Sequence, residues 1–248
     1  MEPVFRSLEI LASMAVRAVG STITFEGLDN IPARGGAVVA INHTGYVDFL
    51  PAALGTRQRR RRIRFMIKAE MQNVRTVNFL IKHTGTIPVN RAAGADAYAA
   101  AVRALRAGEL VGVYPEATIS RAFVLKDFKS GAARMALEAQ VPIVPCIVWG
   151  AHRVWTKDHP KRLGRSKTPF TVRYGRALPP VGTARDLEGA LREQMSTILR
   201  EVQLAYPHPA GEYWVPAELG GGAPTLDEAK RRDEAELAER ARRTGERR

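Results

Sequence analysis

The sequence predicts an α/β domain: a central mixed, largely parallel sheet flanked by helices, preceded by an N-terminal amphipathic helix. Three observations lead there. Short apolar runs of strand length alternate with helical patterns between residues 22 and 204, and such alternation builds α/β folds. Hydrophobic residues make up 45% of 248 residues, enough for one sizeable core. No apolar run reaches the roughly 18 residues of a membrane span, so no segment reads as a span, although the chain can still lie on a membrane.

The elements follow in order. Val4, Leu8, Leu11, Ala15 and Val19 recur at helical spacing. Phe5, Ile10 and Met14 widen that stripe, and Arg6, Glu9 and Arg17 interrupt it. Residues 1–20 therefore form a helix that either packs on the core or lies in a membrane interface. Residues 22–25 read as a strand and 27–36 as a turn-rich connector. Residues 37–41 are apolar throughout, the pattern of a buried strand, and 49–54 form a short helix. Six arginines then fall in the eight residues 57–64. Charge that dense predicts a solvated loop or helix end, able to meet lipid phosphates. No aromatic residues interleave with it, which argues against single-stranded nucleic acid.

Strands are expected at 63–67, 85–91, 110–114, from 141 onward, and at 170–174. Helices are expected at 77–81, 92–107 and 132–139, with Gly108 as the stop of the second. Thr183 and Asp186 cap a further helix to about residue 204, with Leu187, Leu191, Met195 and Ile198 on one side. Residues 207–209 and 213–216, rich in proline and aromatic side chains, pack over the domain. Gly220, Gly221 and Gly222 read as a linker, and Thr225 starts a charged solvated helix or disordered tail. The organisation is thus an N-terminal helix over 1–20, one domain over 21–218 and a charged tail over 219–248.

The net charge of +13 implies an anionic partner: nucleic acid, an acidic membrane or a phosphorylated substrate. The single Cys146 lies in an apolar run and reads as a small core residue. One cysteine forms no internal disulfide, which fits a reducing compartment. No H-E-x-x-H pair or cysteine cluster is present, so no metal is required.

The chemistry gathers at strand ends. His43 and Asp48 follow the buried run 37–41 at a strand-to-helix turn, where open α/β sheets bind ligands. A histidine takes up a proton near neutral pH, and a carboxylate can orient its ring and stabilise the imidazolium. On a regular helix five positions rotate the pair about 140° apart, so they meet only if His43 lies in the turn before the helix. A structural histidine closing the turn is the alternative. Arg91 ends another strand, and Glu116 and Thr118 follow a third.

Together these segments resemble the four motifs of the glycerophospholipid acyltransferases, the family of 1-acylglycerol-3-phosphate acyltransferases. Asn42 and His43 with Asp48 match the first. The run from Gly85 to Arg91 resembles the second. Tyr114, Pro115, Glu116, Ala117 and Thr118 resemble the third, and Val141 to Pro145 match the fourth. Phe128-Lys129-Ser130-Gly131 resembles the segment that follows the third. The family's third motif carries a glycine and an arginine where this chain has Ala117 and Ile119. The resemblance assigns that arginine to the acceptor phosphate, so Arg91, Lys68, Arg121 or Lys126 must supply the charge, or the acceptor has a different head group.

The resemblance implies an enzyme that moves a fatty acyl group from a thioester to the hydroxyl of a lysophosphatidic-acid-type acceptor, forming phosphatidic acid in phospholipid biosynthesis. His43 would be the general base and Asp48 its partner. Asn42, Lys68, Arg91, Glu116, Thr118, Arg121 and Lys126 would bind substrate. No nucleophile elbow is present, so the acceptor attacks directly. No cofactor is expected, with acyl-CoA or acyl-carrier protein as co-substrate. The expected partners are a lysophospholipid acceptor, an acyl thioester donor and an anionic membrane surface, with no nucleic acid. The expected place is peripheral, on the cytoplasmic face of the plasma membrane. Another lyso-lipid or glycolipid acceptor, or a non-catalytic anionic-lipid-binding module, is the alternative.

Overall fold

The run Ala37–Ile41 (β2) is fully buried because both faces of the sheet are covered. The computed structural model describes residues 3–89 and 94–245. The other strands among them are β1 (Thr22–Glu26), β3 (Ile63–Lys68), β4 (Ile87–Val89), β5 (Leu110–Val113), β6 (Ile143–Trp149) and β7 (Pro169–Tyr174). They form one sheet in the order β1-β7-β6-β2-β5-β3-β4. The five strands from β6 to β4 are mutually parallel. β7 runs antiparallel to β6, and β1 follows β7, so the sheet is mixed and largely parallel, as expected.

Alternation along β2 divides its side chains between the two faces. Val38 and Ala40 join one cluster, built with α4 (Gly94–Arg106), α5 (Gly131–Ala139) and α6 (Ala184–Ala205). Ala37, Val39 and Ile41 join the other, which holds Cys146, Tyr174 and Ala52 of α2 (Phe49–Gln58). Cys146 is a buried free thiol, the small core residue anticipated. α6 starts with the capping box of Thr183 and Asp186, which satisfies two backbone donors.

α1 (Pro3–Ala18) packs against α2 and α3 (Arg75–Thr84). It turns Phe5 inward under the guanidinium groups of Arg62 and Arg64, and leaves Ile10, Leu11 and Met14 exposed. No helix among the described residues is long and apolar enough to cross a membrane.

The arginine run lies at the end of α2 and just beyond it, with none of its arginines buried. Most of them are also engaged within the chain. Arg57 and Arg62 pair with Glu9 of α1, Arg59 with Asp29, and Arg64 with Glu109. Arg61 donates to the carbonyls of Pro32, Gly35 and Gly108 at 2.6–2.8 Å. Long apolar stems can be covered while the guanidinium forks satisfy carbonyls that close neighbouring loops. The C-terminal segment departs from the disordered alternative. It forms α7 (Leu226–Gly245), begun by Thr225 and Glu228 in reciprocal hydrogen bonds, and this helix docks on the domain.

Candidate active site

The parallel strands all end on one edge of the sheet, and β2 lies in the middle of it. Asn42 extends β2 beyond its last residue. Its Nδ2 donates to Val148 O at 3.1 Å and its Oδ1 accepts from Val148 N at 2.7 Å. The side chain is fully buried and mimics one more rung of the sheet. Asn42 is therefore a splint between β2 and β6.

His43 lies in the turn before α2, the one place from which it can reach Asp48. Asp48 Oδ2 lies 3.1 Å from His43 Nδ1 and accepts from the backbone N–H groups of Thr44 and Gly45, both at 2.8 Å. The carboxylate thus folds back into the turn and does not cap α2. A side chain at position 45 would collide with the backbone, since a Cβ there would lie 2.9 Å from Trp155 O. Burial raises the Asp48 pKa above the usual carboxylate value, although its bond to His43 and the two backbone donors pull against that rise. An ionised carboxylate only accepts, so Nδ1 carries the proton and Nε2 is left as the base. The imidazole is 19% exposed and Asp48 is not exposed at all. The Tyr114 ring stacks on the imidazole with centroids 4.0 Å apart and fixes its plane.

The turn after β5 grips the backbone of His43. Glu116 Oε1 accepts from His43 N at 2.8 Å, Oε2 accepts from Lys126 N at 3.0 Å, and Ser120 N donates to His43 O at 2.7 Å. Both peptide groups of His43 are therefore held. Glu116 is buried, and burial pushes its pKa up to about 7 against the pull of these two donors. Both Glu116 carboxylate oxygens are engaged by backbone donors, one of them that of His43. Ala117 turns the chain with φ 59°, a left-handed conformation that costs a residue with a Cβ about 1–2 kcal/mol.

Ile119 is buried, so no side chain at that position points to the cleft. Positive charge follows a few residues later in the same loop. Lys126 Nζ reaches Thr118 Oγ1 at 2.8 Å and also bonds Asp233 of α7. Arg121 bonds Asp158 at 2.7 Å, Glu236 at 2.8 Å, and Asp233. Lys157, which carries no motif and escaped the sequence reading, completes the cluster at 2.9 Å from Glu236. A cleft of about 570 Å³ lies beside it, lined by Tyr46, Arg121, Lys157, Asp158, Arg232 and Glu236. Lys68 ends β3 on the same edge, two strands from β2 and so roughly 10 Å along the sheet. Arg91 lies outside the described residues. No three His, Cys, Asp or Glu side chains among the described residues are grouped to hold a metal ion.

Beside the site, His152 is wholly buried among Phe123, Trp149 and Trp214. Its Nε2 donates to Trp214 O at 3.1 Å, and burial lowers its pKa to about 3. It pins the proline and aromatic stretch to the domain, as the sequence led us to expect of that stretch.

Residues 22–149 match the family model described as Acyltransferase. The chain is 29% identical over 123 residues to a 1-acyl-sn-glycerol-3-phosphate acyltransferase of Bacillus subtilis, a stretch covering 49% of this chain and 60% of that protein. It is 28% identical over 150 residues to an enzyme of the same name from Borreliella burgdorferi, covering 56% of each. The chain thus spans less than two thirds of these relatives' length. The crystal structure of the 1-acyl-sn-glycerophosphate acyltransferase of Thermotoga maritima matches with a TM-score of 0.69 at 22% identity, covering 83% of this chain and 82% of that one. At that identity the likeness shows the fold.

Proposed function

Because the chain belongs to the acyltransferase family, we propose that it transfers a fatty acyl group from an acyl thioester to the hydroxyl of a lysophosphatidic-acid-type acceptor, forming phosphatidic acid. The observation that carries this is the His43–Asp48 contact at the sheet edge, with Nε2 left as the base. His43 takes the hydroxyl proton as the acceptor oxygen attacks the thioester carbonyl. Asp48 stabilises the imidazolium that forms. Collapse of the tetrahedral intermediate breaks the carbon–sulfur bond, and the imidazolium returns the proton to the departing thiolate. Proton transfer of this kind contributes about 10²–10⁴-fold to rate. The donor is acyl-CoA or acyl-carrier protein, and no further cofactor enters.

Lys126 holds the acceptor phosphate in this account, with Arg91 and Lys68 as further contacts to the acceptor. One observation favours a second reading. Ile119 is buried where the family carries an arginine, so an acceptor with another head group, a different lyso-lipid or a glycolipid, is the alternative.

The protein works from a membrane surface, on the cytoplasmic face of the plasma membrane. Ile10, Leu11 and Met14 of α1, with Val74 and Phe79 near α3, present exposed apolar side chains to it. The arginine run is engaged within the chain, so the apolar side chains carry more of the anchoring. Acyl transfer from acyl-CoA and from acyl-carrier protein to a panel of lyso-lipids and glycolipids, with positional analysis of the product, tests the proposal. Product from lysophosphatidic acid supports it. Product only from phosphate-free acceptors moves the assignment to the alternative, and no product from any acceptor contradicts both.

A further inference from the structure

Three cations from two loops, Arg121, Lys126 and Lys157, converge on two carboxylates of α7, Asp233 and Glu236. Arg121 is also paired with Asp158 and is buried. Lys126 belongs to the catalytic turn as well. Its backbone N–H bonds Glu116, the residue that holds His43, and its ammonium touches Thr118. Glu116 therefore ties the Lys126 loop to the turn that carries the base. Asp233 stays below the usual carboxylate range: burial opposes ionisation, but Lys126, Lys157 and Arg121 outweigh it. The cluster thus holds two anionic side chains beside a loop tied to the base.

α7 is attached with little apolar burial. Among its described side chains only Ala229 is buried, and Leu226 and Leu237 are exposed at 53% and 59%. Ala229, Asp233 and Glu236 follow one another at i, i+4 and i+7, a single stripe. The helix is therefore held by charge more than by apolar burial. An anion that competes for the cations, or salt that screens them, can displace it.

We infer that Arg121, Lys126 and Lys157 form the seat of the acceptor's phosphate, and that α7 occupies this seat with Asp233 and Glu236 as an internal mimic which the acceptor must displace. The inference rests on the proposed acyltransferase activity and adds the location of the head-group seat and its built-in competitor. A phosphate monoester suits the seat for a physical reason. It brings up to two negative charges and three acceptor oxygens, matching three cations, of which Arg121 and Lys157 already sit 2.8 and 2.9 Å from the Glu236 carboxylate. Occupancy by α7 reduces apparent acceptor affinity by the fraction of molecules in which the seat is free.

Two measurements on the full chain test this. The first is kinetic, with lysophosphatidic acid and its phosphate-free monoacylglycerol counterpart as acceptors. The double variant Asp233→Asn/Glu236→Gln frees the seat. If the seat is free in about one wild-type molecule in ten, KM for lysophosphatidic acid falls about tenfold, with kcat and the monoacylglycerol KM unchanged. Lys157→Gln also loosens α7 but damages the seat, so it raises KM for lysophosphatidic acid. Changes in the same direction for the two variants, or no change, would overturn the inference. The second is hydrogen exchange over residues 226–245 with inorganic phosphate, a water-soluble short-chain lysophosphatidic acid or monoacylglycerol at matched ionic strength. Faster exchange with lysophosphatidic acid alone supports a seat for the lipid head group. Faster exchange with inorganic phosphate as well supports a seat for phosphate itself. No acceleration, or equal acceleration by monoacylglycerol, overturns it. This second measurement needs no turnover, so it decides the seat even if the acyl-transfer assay fails.

Discussion

Replacing Asp48 by asparagine isolates charge from shape. All three contacts of Asp48 use the same oxygen, Oδ2, at 2.8 Å from two backbone N–H groups and 3.1 Å from His43 Nδ1. An amide oxygen in that position keeps all three, so the turn and the imidazole tautomer survive. Alanine would instead leave two backbone donors unpaired, at about 1–3 kcal/mol each, and would confuse folding with catalysis. What Asp48→Asn removes is the negative charge facing the imidazolium. At 3.1 Å and an effective dielectric of about 20, that attraction is about 5 kcal/mol. Its full loss from the transition state would slow turnover by about 10³–10⁴-fold. Some of it is recovered by local relaxation, so we expect kcat to drop at least about a hundredfold. Stability should hold or rise, because burial disfavours the Asp48 charge. The assay is thiol release from an acyl thioester in the presence of acceptor, beside a thermal melt. A folded Asp48→Asn protein with kcat within about threefold of wild type would refute the role given to the carboxylate.

Three other outcomes are expected. Ala117→Gly relieves the left-handed φ of 59° and should stabilise the protein by about 0.5–1 kcal/mol, read as a higher melting temperature; a lower one would count against the strain. The pH dependence of stability should reflect two opposed groups. His152, lowered to about 3 from 6.5, stays neutral while its unfolded counterpart protonates, so it costs stability as pH falls below 6.5. Glu116, raised to about 7 from 4.5, takes up its proton earlier when folded and adds stability as pH falls from 7 to 4.5. Glu116→Gln removes the second effect, so its stability should decline by about 1.4 kcal/mol per pH unit between 6.5 and 4.5 relative to wild type; parallel profiles in denaturant titrations would contradict this. Arg91→Ala should raise the acceptor KM through a lost charge-assisted contact of about 1.5–3 kcal/mol, and unchanged kinetics would leave the phosphate to the Lys126 loop.

The strand cores were legible because their pattern is local. Residues 37–41 read as a buried strand from apolar content alone, and the five-residue gap from His43 to Asp48 demanded a turn, which the structure supplies. The cap at Thr183 was readable for the same reason. What stayed hidden depends on partners distant in the chain. Asn42 belongs to the sheet because Val148 faces it 106 residues later. Arg61 and Arg62 of the run 57–64 are engaged because Glu9 and the carbonyls of Pro32, Gly35 and Gly108 receive them. Lys157 carries no motif, and only the docking of α7 brings Glu236 to it. The tail's helix start at Thr225 was visible, but a charged helix shows no apolar stripe to announce a docking face.

The central claim is that His43 is the general base of acyl transfer, and the most direct measurement is turnover by His43→Ala with binding followed separately. The account predicts a folded protein that still binds lysophosphatidic acid but transfers acyl groups at least about a hundredfold more slowly. Near-normal turnover by a folded His43→Ala protein would contradict it.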